Sequence, residues 1–345
     1  MKSTTISLRD PLYKRTEKYN LLEKVFVQLL HDERDLPFIY LCLKVTFLVL
    51  PFSIYLIIPG NFSFWIATIY LIFNCSIFMP PVVLMTHSTS HRKFFKQKYR
   101  YLNYYLIWII GPFYGLSANT FFAHRIGMHH IENNLPNDLN CTIPYQRDSI
   151  IDFGIYFFKF IFFIIVDLPR YFMKNNRSYF AKKVLFGEFS FIILCLGLIF
   201  INWQSALFVF IIPCILVRFL MMAGNWGEHA FIDSQNVGNI YRNSVTNINC
   251  LHNRRCFNNG YHIGHHLRPG MHWTELPQDF LNNINCYIDE KPVIFEGLDS
   301  VLVWFHLMIK NYRYLASRFV DVGNRYLDQE EVIAFLKERT KKIIM

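Results

Sequence analysis

Charge is scarce in this sequence. Only 17% of its 345 residues are Asp, Glu, Lys or Arg, against about a quarter in ordinary soluble domains. With 53% hydrophobic residues, the chain reads as an integral membrane protein of one compact domain rather than a soluble one. Paired cysteine motifs are missing as well. Eight cysteines are scattered without C-x-x-C spacing, which excludes a zinc ribbon and a disulfide framework and leaves them as small buried hydrophobes. There is no repeat of solenoid period and no low-complexity linker. The first 36 residues lack the short apolar core and small-residue cleavage site of a signal peptide. Acids are fewer than bases, 25 against 35, for a net charge of +10. Basic loops beside anionic headgroups account for that excess, so no nucleic-acid partner is needed.

What the sequence does have is four long apolar stretches, at 38–58, 62–85, 184–201 and 206–223. Each is close to the roughly 17–25 residues that cross a bilayer. They pair as hairpins through "PGN" and "NWQS", loops that hold neither Lys nor Arg. Arg92, Lys93, Lys96, Lys98 and Arg100 follow the second stretch, and Arg170, Lys174, Arg177, Lys182 and Lys183 precede the third. The positive-inside rule therefore places both termini and the central segments in the cytosol. The expected fold is all-α and membrane-integral, with four transmembrane helices in two hairpins. Its divisions are a cytosolic N-terminal segment (1–36), a membrane domain (37–277) and a cytosolic helical C-terminal region (278–345). Residues 19–30 have the spacing of an interfacial helix, and the tail forms a helix after Asp328 with acids early and bases late. Two further apolar stretches, 104–122 and 150–168, carry glycine, proline or charge and are expected not to span. Lys44 and Arg218 interrupt the spans, and snorkelling to the headgroups is the expectation for both.

Nine of the thirteen histidines fall into four short groups. "HSTSH" holds His87 and His91; "HRIGMHH" holds His124, His129 and His130; "NWGEH" pairs Asn225 with His229; "HIGHH" holds His262, His265 and His266. Residues three or four apart share a helix face, so His87 and His91 could point the same way, and so could His262, His265 and His266. Imidazole suits iron, copper, nickel and zinc. Nine histidines exceed the four or so ligands of one mononuclear site, so two metals are the natural count. A single shared centre needs all its ligands on one membrane face, which is why 104–122 and 150–168 are not expected to cross. Glu132, Glu228 and Asp233 are candidate partners for the free N–H groups of bound imidazoles. Packing is the expected role of His252 and His272.

In this order, HxxxH, an HR-plus-HH group, NxxxH and HxxHH resemble the membrane fatty acid desaturases, as do "MHHIENN", "NWGEHAFID" and "NNGYHIGHHLRPGMHW". The resemblance implies four spans beneath a cytosolic helical cap that carries the histidine boxes. It implies two irons that use dioxygen as co-substrate, and a tunnel for an acyl lipid or acyl-CoA. It carries His87, His91, His129, His130, His229, His262, His265 and His266 over as metal ligands, with Asn225 and, off the usual spacing, His124. No His-Pro-Gly-Gly string is present, so a separate cytochrome b5 or ferredoxin is the implied electron donor. Endoplasmic reticulum residence, with the boxes facing the cytosol, rests on the same analogy. The implied reaction is acyl desaturation. Hydroxylation of a lipid or carotenoid fits the same ligands, and a non-enzymatic multipass zinc protein is the reading from another class.

Overall fold

The structure is a computed structural model and describes residues 6–12, 14 and 18–344. It is mostly helical, with a single two-stranded sheet among the described residues. The chain forms two compact units that interleave along the sequence. Lys14–Gly127 and Ile165–Phe219 make one, here the span unit; Met1–Tyr13, Met128–Ile164 and Leu220–Met345 make the other, the histidine unit.

Among the described residues, three helical stretches are long and apolar enough to cross a membrane: Glu33–Ile57, Phe64–His91 and Ser178–Glu228. The first two correspond to the expected hairpin at 38–58 and 62–85. The third holds both remaining stretches end to end. As one straight helix, its 51 residues would run about 76 Å, more than twice the roughly 30 Å hydrocarbon thickness. The backbone leaves helical geometry at Asn202 (φ −157°, ψ 90°), the first residue of "NWQS". Three π-helical turns each stand just before a proline: Val45–Val49 before Pro51, Asn74–Phe78 before Pro80, and Leu207–Ile211 before Pro213. Proline has no N–H and its ring crowds the carbonyl four residues back. Widening the turn relieves that crowding without ending the helix. Within the span unit Arg218 does not snorkel: its guanidinium donates to Glu188 at 2.9 Å, and the other Glu188 oxygen accepts from Ser117. An ionised group in an apolar helix is costly unless paired, and Glu188 supplies the pair.

The stretch 104–122 breaks into a π turn (Tyr105–Ile110), a 3-10 turn (Gly111–Tyr114) and the start of the helix Thr120–His124, none long enough to span. Gly115 makes the reversal possible. Its φ is +67°, and a Cβ there would lie 2.1 Å from the Cα of Cys214. The stretch 150–168 lies in the 25-residue helix Ile150–Lys174, which is not among the helices apolar enough to cross. Ile151, Ile155, Phe158, Phe162 and Val166 are exposed along one of its faces, the pattern of a helix lying on an apolar surface.

In the histidine unit, Val245–Ile248 pairs in parallel with Val293–Glu296, Val245 opposite Val293. Ile248 and Ile294 of these strands join Tyr261, Ile263, Leu276, Phe280 and Tyr287 in one buried cluster. Each such side chain contributes on the order of 1.5–3 kcal/mol by leaving water. Through Ile263 the cluster seats the short helix His262–Leu267. The tail helix Gln329–Arg339 begins where the sequence indicates: the Asp328 carboxylate accepts the N–H groups of Glu330 and Glu331. The end of the helix Ile212–Glu228 lies against the chain at Ser300, where a Cβ on Gly227 would meet the Ser300 carbonyl oxygen at 2.0 Å.

Candidate metal centre

Four histidines of the histidine unit, His129, His229, His262 and His266, are all buried, and their ligand atoms lie within 4.8 Å of one another. They come from three separate segments of chain. Helix geometry explains which ones meet. His262 and His266 are four residues apart, about 40° around a helix, whereas His265 stands about 100° from His266. The sequence expectation that His262, His265 and His266 could share a direction therefore holds for the first and last only. His265 diverges to His130, their Nε2 atoms 3.2 Å apart. The same 100° step separates His129 from His130.

The rings are oriented by oxygen acceptors. His129 donates from Nδ1 to Asp138 at 2.7 Å, His229 to the Asn243 carbonyl at 2.9 Å, and His266 to the Asn133 side-chain oxygen at 2.8 Å. An acceptor at Nδ1 fixes the proton there and leaves the Nε2 lone pair for a ligand. His229 Nε2 is 3.1 Å from His262 Nε2. Two nitrogens about 2.0–2.1 Å from one ion, at tetrahedral or octahedral angles, lie about 2.9–3.4 Å apart. The pairs His130–His265 and His87–His91 show the same separation, each 3.2 Å between Nε2 atoms. Burial, and then the neighbouring rings of His266, His229, His265 and His129, push the His262 pKa well below the ordinary histidine value. The group is thus neutral, as metal ligation requires.

Local sequence explains the acceptors. Asn133 and Asn134 take positive φ, 50° and 62°, a conformation asparagine tolerates better than most residues. The reversal ends the helix His130–Glu132, and Asp138 follows a few residues on, against His129. Asn134 then bonds Thr142 and Asn243, at 3.1 and 2.9 Å.

A family model described as fatty acid desaturase matches residues 59–284. The chain belongs to the fatty acid desaturase family. No curated protein and no solved structure matches it. The family is one of oxidoreductases, typically metal-dependent and membrane-associated, and the histidine groups of this desaturase-family chain are of the kind that binds metal. Their fit to a cation is chemical: four imidazoles at ligand spacing in a buried site, three of them with Nδ1 held by an oxygen acceptor. Asn225 adds to it. Its Nδ2 donates to Tyr156 at 3.0 Å and to the Asn140 carbonyl at 3.3 Å, while its buried Oδ1 accepts no hydrogen bond.

Not every candidate falls in the four-histidine group. His124 is buried in the helix Thr120–His124 and is not one of the four clustered histidines. Asp233 does not serve an imidazole; it takes Arg339 at 3.1 Å and Arg242 at 3.4 Å. Glu228 stands 3.7 Å from His262 Nδ1 and accepts from Asn259. Glu132 ends the helix after His130. His272 is buried with Nδ1 2.7 Å from the Thr274 hydroxyl. The acid on His129, Asp138, and the acceptors Asn133 and Asn243 escaped the sequence reading. "ENNLPND" could have marked the first two, since asparagines and an acid directly follow an HH pair.

Proposed function

We propose that the protein is an oxygen-dependent desaturase that introduces a double bond into an acyl chain carried on a lipid or coenzyme A. The observation that carries this reading is the buried group His129, His229, His262 and His266, drawn from three segments into one ligand set. That group would hold one iron, with Asn225 beside it. By ligand count and by the family's histidine pattern, His87, His91, His130 and His265 would hold a second. Bound iron supplies the redox chemistry: dioxygen, two electrons and two protons are consumed, two hydrogens leave adjacent methylenes, and two waters form.

The chain's own residues hold, orient and exclude. Asp138, Asn243 and Asn133 fix the ring tautomers. The span unit contains a cavity of about 350 Å³ whose wall includes Leu106, Ile107, Phe121 and Phe122, with Lys93 and Lys183 also lining it. An apolar wall with cations suits an alkyl chain that ends in a polar or anionic carrier, and we assign the acyl substrate to it. Four spans in two hairpins, divided at Asn202 in the second, would place the histidines on the cytosolic face of the endoplasmic reticulum. A separate cytochrome b5 or ferredoxin would reach them there.

Expression in a host of defined lipid composition, followed by lipid mass analysis, tests the reaction. A new double bond, seen as loss of two hydrogens and absent in His265→Ala, is expected. Gain of one oxygen instead would assign hydroxylation, and no oxygen-dependent change in an iron-loaded protein would overturn both. Labelling of single cysteines placed in 131–149 and 169–183 tests the topology; access from the lumen at either would break it.

A further inference from the structure

Arg147 is fully buried, and all six of its side-chain hydrogen bonds go to main-chain carbonyl oxygens rather than to a carboxylate. Burial draws its pKa down to about 10, so it is charged at neutral pH. On one side the guanidinium holds the structure behind His229. Nε donates to the Ala230 carbonyl at 3.0 Å, and Nη1 to those of Thr142, Ile143 and Tyr145 at 3.0–3.3 Å. The Thr142 hydroxyl in turn donates to the His229 carbonyl at 2.7 Å, and Trp226 Nε1 donates to the Arg147 carbonyl at 2.9 Å.

On the other side stands the segment 339–343. Nη2 donates to the carbonyls of Arg339 (3.1 Å) and Lys341, and the Arg147 N–H donates to that of Thr340 at 2.9 Å. Ile343 N–H closes the contact on the Ile143 carbonyl at 3.1 Å. These residues lie well past residue 284, where the family match ends. A guanidinium has five N–H groups to satisfy, and a buried donor stripped of its acceptor is costly. Without the tail, Nη2 loses both of its acceptors, and the fork loses the position that fixes Thr142 and Ala230.

We propose that the segment 339–343 acts through Arg147 as a positioning strap for His229 and so sets the metal affinity of the four-histidine group. The proposal rests on the reading of those histidines as metal ligands. It makes Arg147, Thr142 and the tail positioning elements that touch neither metal nor substrate.

Cobalt(II) is the probe, because its visible bands report ligand geometry. The purified full-length protein is compared with Arg147→Lys, Thr142→Val, a chain ending after Glu338, and His229→Ala, with thermal unfolding measured in parallel. His229→Ala should lose cobalt from one site. Arg147→Lys and the shortened chain should bind at that site about tenfold more weakly, the scale of a lost outer-shell contact, and with shifted bands at temperatures well below unfolding. Thr142→Val should do the same to a lesser degree, and it decides the matter if the other two fail to fold. If His229→Ala binds cobalt as the native chain does, the ligand reading fails. If His229→Ala loses cobalt while the strap variants keep native affinity and bands, with or without a lower unfolding midpoint, the strap is overturned.

Discussion

The two units solve the same problem, buried polar groups, with a different balance of contacts. In the span unit many hydroxyls return to their own helix. Thr46, Ser53 and Thr86 return their hydroxyls to the carbonyls of Cys42, Val49 and Val82, four residues back in their own helices. Its long-range polar contacts include the charged Arg218–Glu188–Ser117 cluster, Thr46 with the Tyr105 hydroxyl, and Asn202 and Ser205 on the Leu56 carbonyl. In the histidine unit the polar atoms reach far along the chain. Asn134 bonds Asn243, His266 bonds Asn133, Arg147 bonds the tail, and Asp10 accepts from the Tyr261 hydroxyl at 2.7 Å. A helix facing lipid must satisfy its backbone within itself. A ligand set must instead be held from several directions, and asparagine, which both donates and accepts, suits that task.

The sharpest break between the units comes from removing a ligand. His262→Ala should abolish product formation and leave the chain with one metal fewer, read by lipid profiling and elemental analysis; full metal content would dissolve the contrast. Next in size is the Arg218–Glu188 pair. Glu188→Ala leaves the Arg218 charge uncompensated and should cost about 3–5 kcal/mol, whereas replacing both residues by apolar ones should cost much less. Unfolding in detergent measures the difference, and equal losses would mean that the pair is not what holds Arg218. Smaller again, Asp138→Ala should weaken metal binding about 10–100-fold, with little effect on unfolding of the metal-free protein. A chelator titration reads it, and an unchanged affinity would remove Asp138 from the support of His129.

The smallest expected effect lies at the entrance to the first span-like helix. Burial alone would raise the Asp32 pKa, but hydrogen bonds and charge from Arg34, with Arg92, bring it down to about 2. A folded pKa below the unfolded one stabilises the fold above about pH 4, and that contribution fades as pH falls through about 2. Discounted for solvent screening, Asp32→Asn should cost about 1 kcal/mol at pH 7. The gap between the two unfolding midpoints should narrow between pH 4 and 2. A gap that widens on acidification would contradict the assignment.

Parts of this were plain in the sequence. The apolar stretches, the hairpin loops, the capping Asp328 and the histidine spacings follow from local composition and period. Other parts were not. Glu188 is one acid in an apolar run, and nothing nearby shows that Arg218, thirty residues on, will face it. Asp138, Asn133 and Asn243 look like loop residues until the chain folds. Snorkelling was the natural expectation for Arg218 because the alternative needs a partner that only packing supplies.

The sequence by itself determined that imidazoles would gather at helix spacing beside apolar helices, because periodicity is a property of neighbours in the chain. Which imidazoles share a site was left to the tertiary structure. Adjacent histidines, His129 with His130 and His265 with His266, point about 100° apart on their helices and go to different partners. Only the contacts made on folding could sort them: His129 is held by Asp138 and His266 by Asn133, while His130 and His265 meet each other.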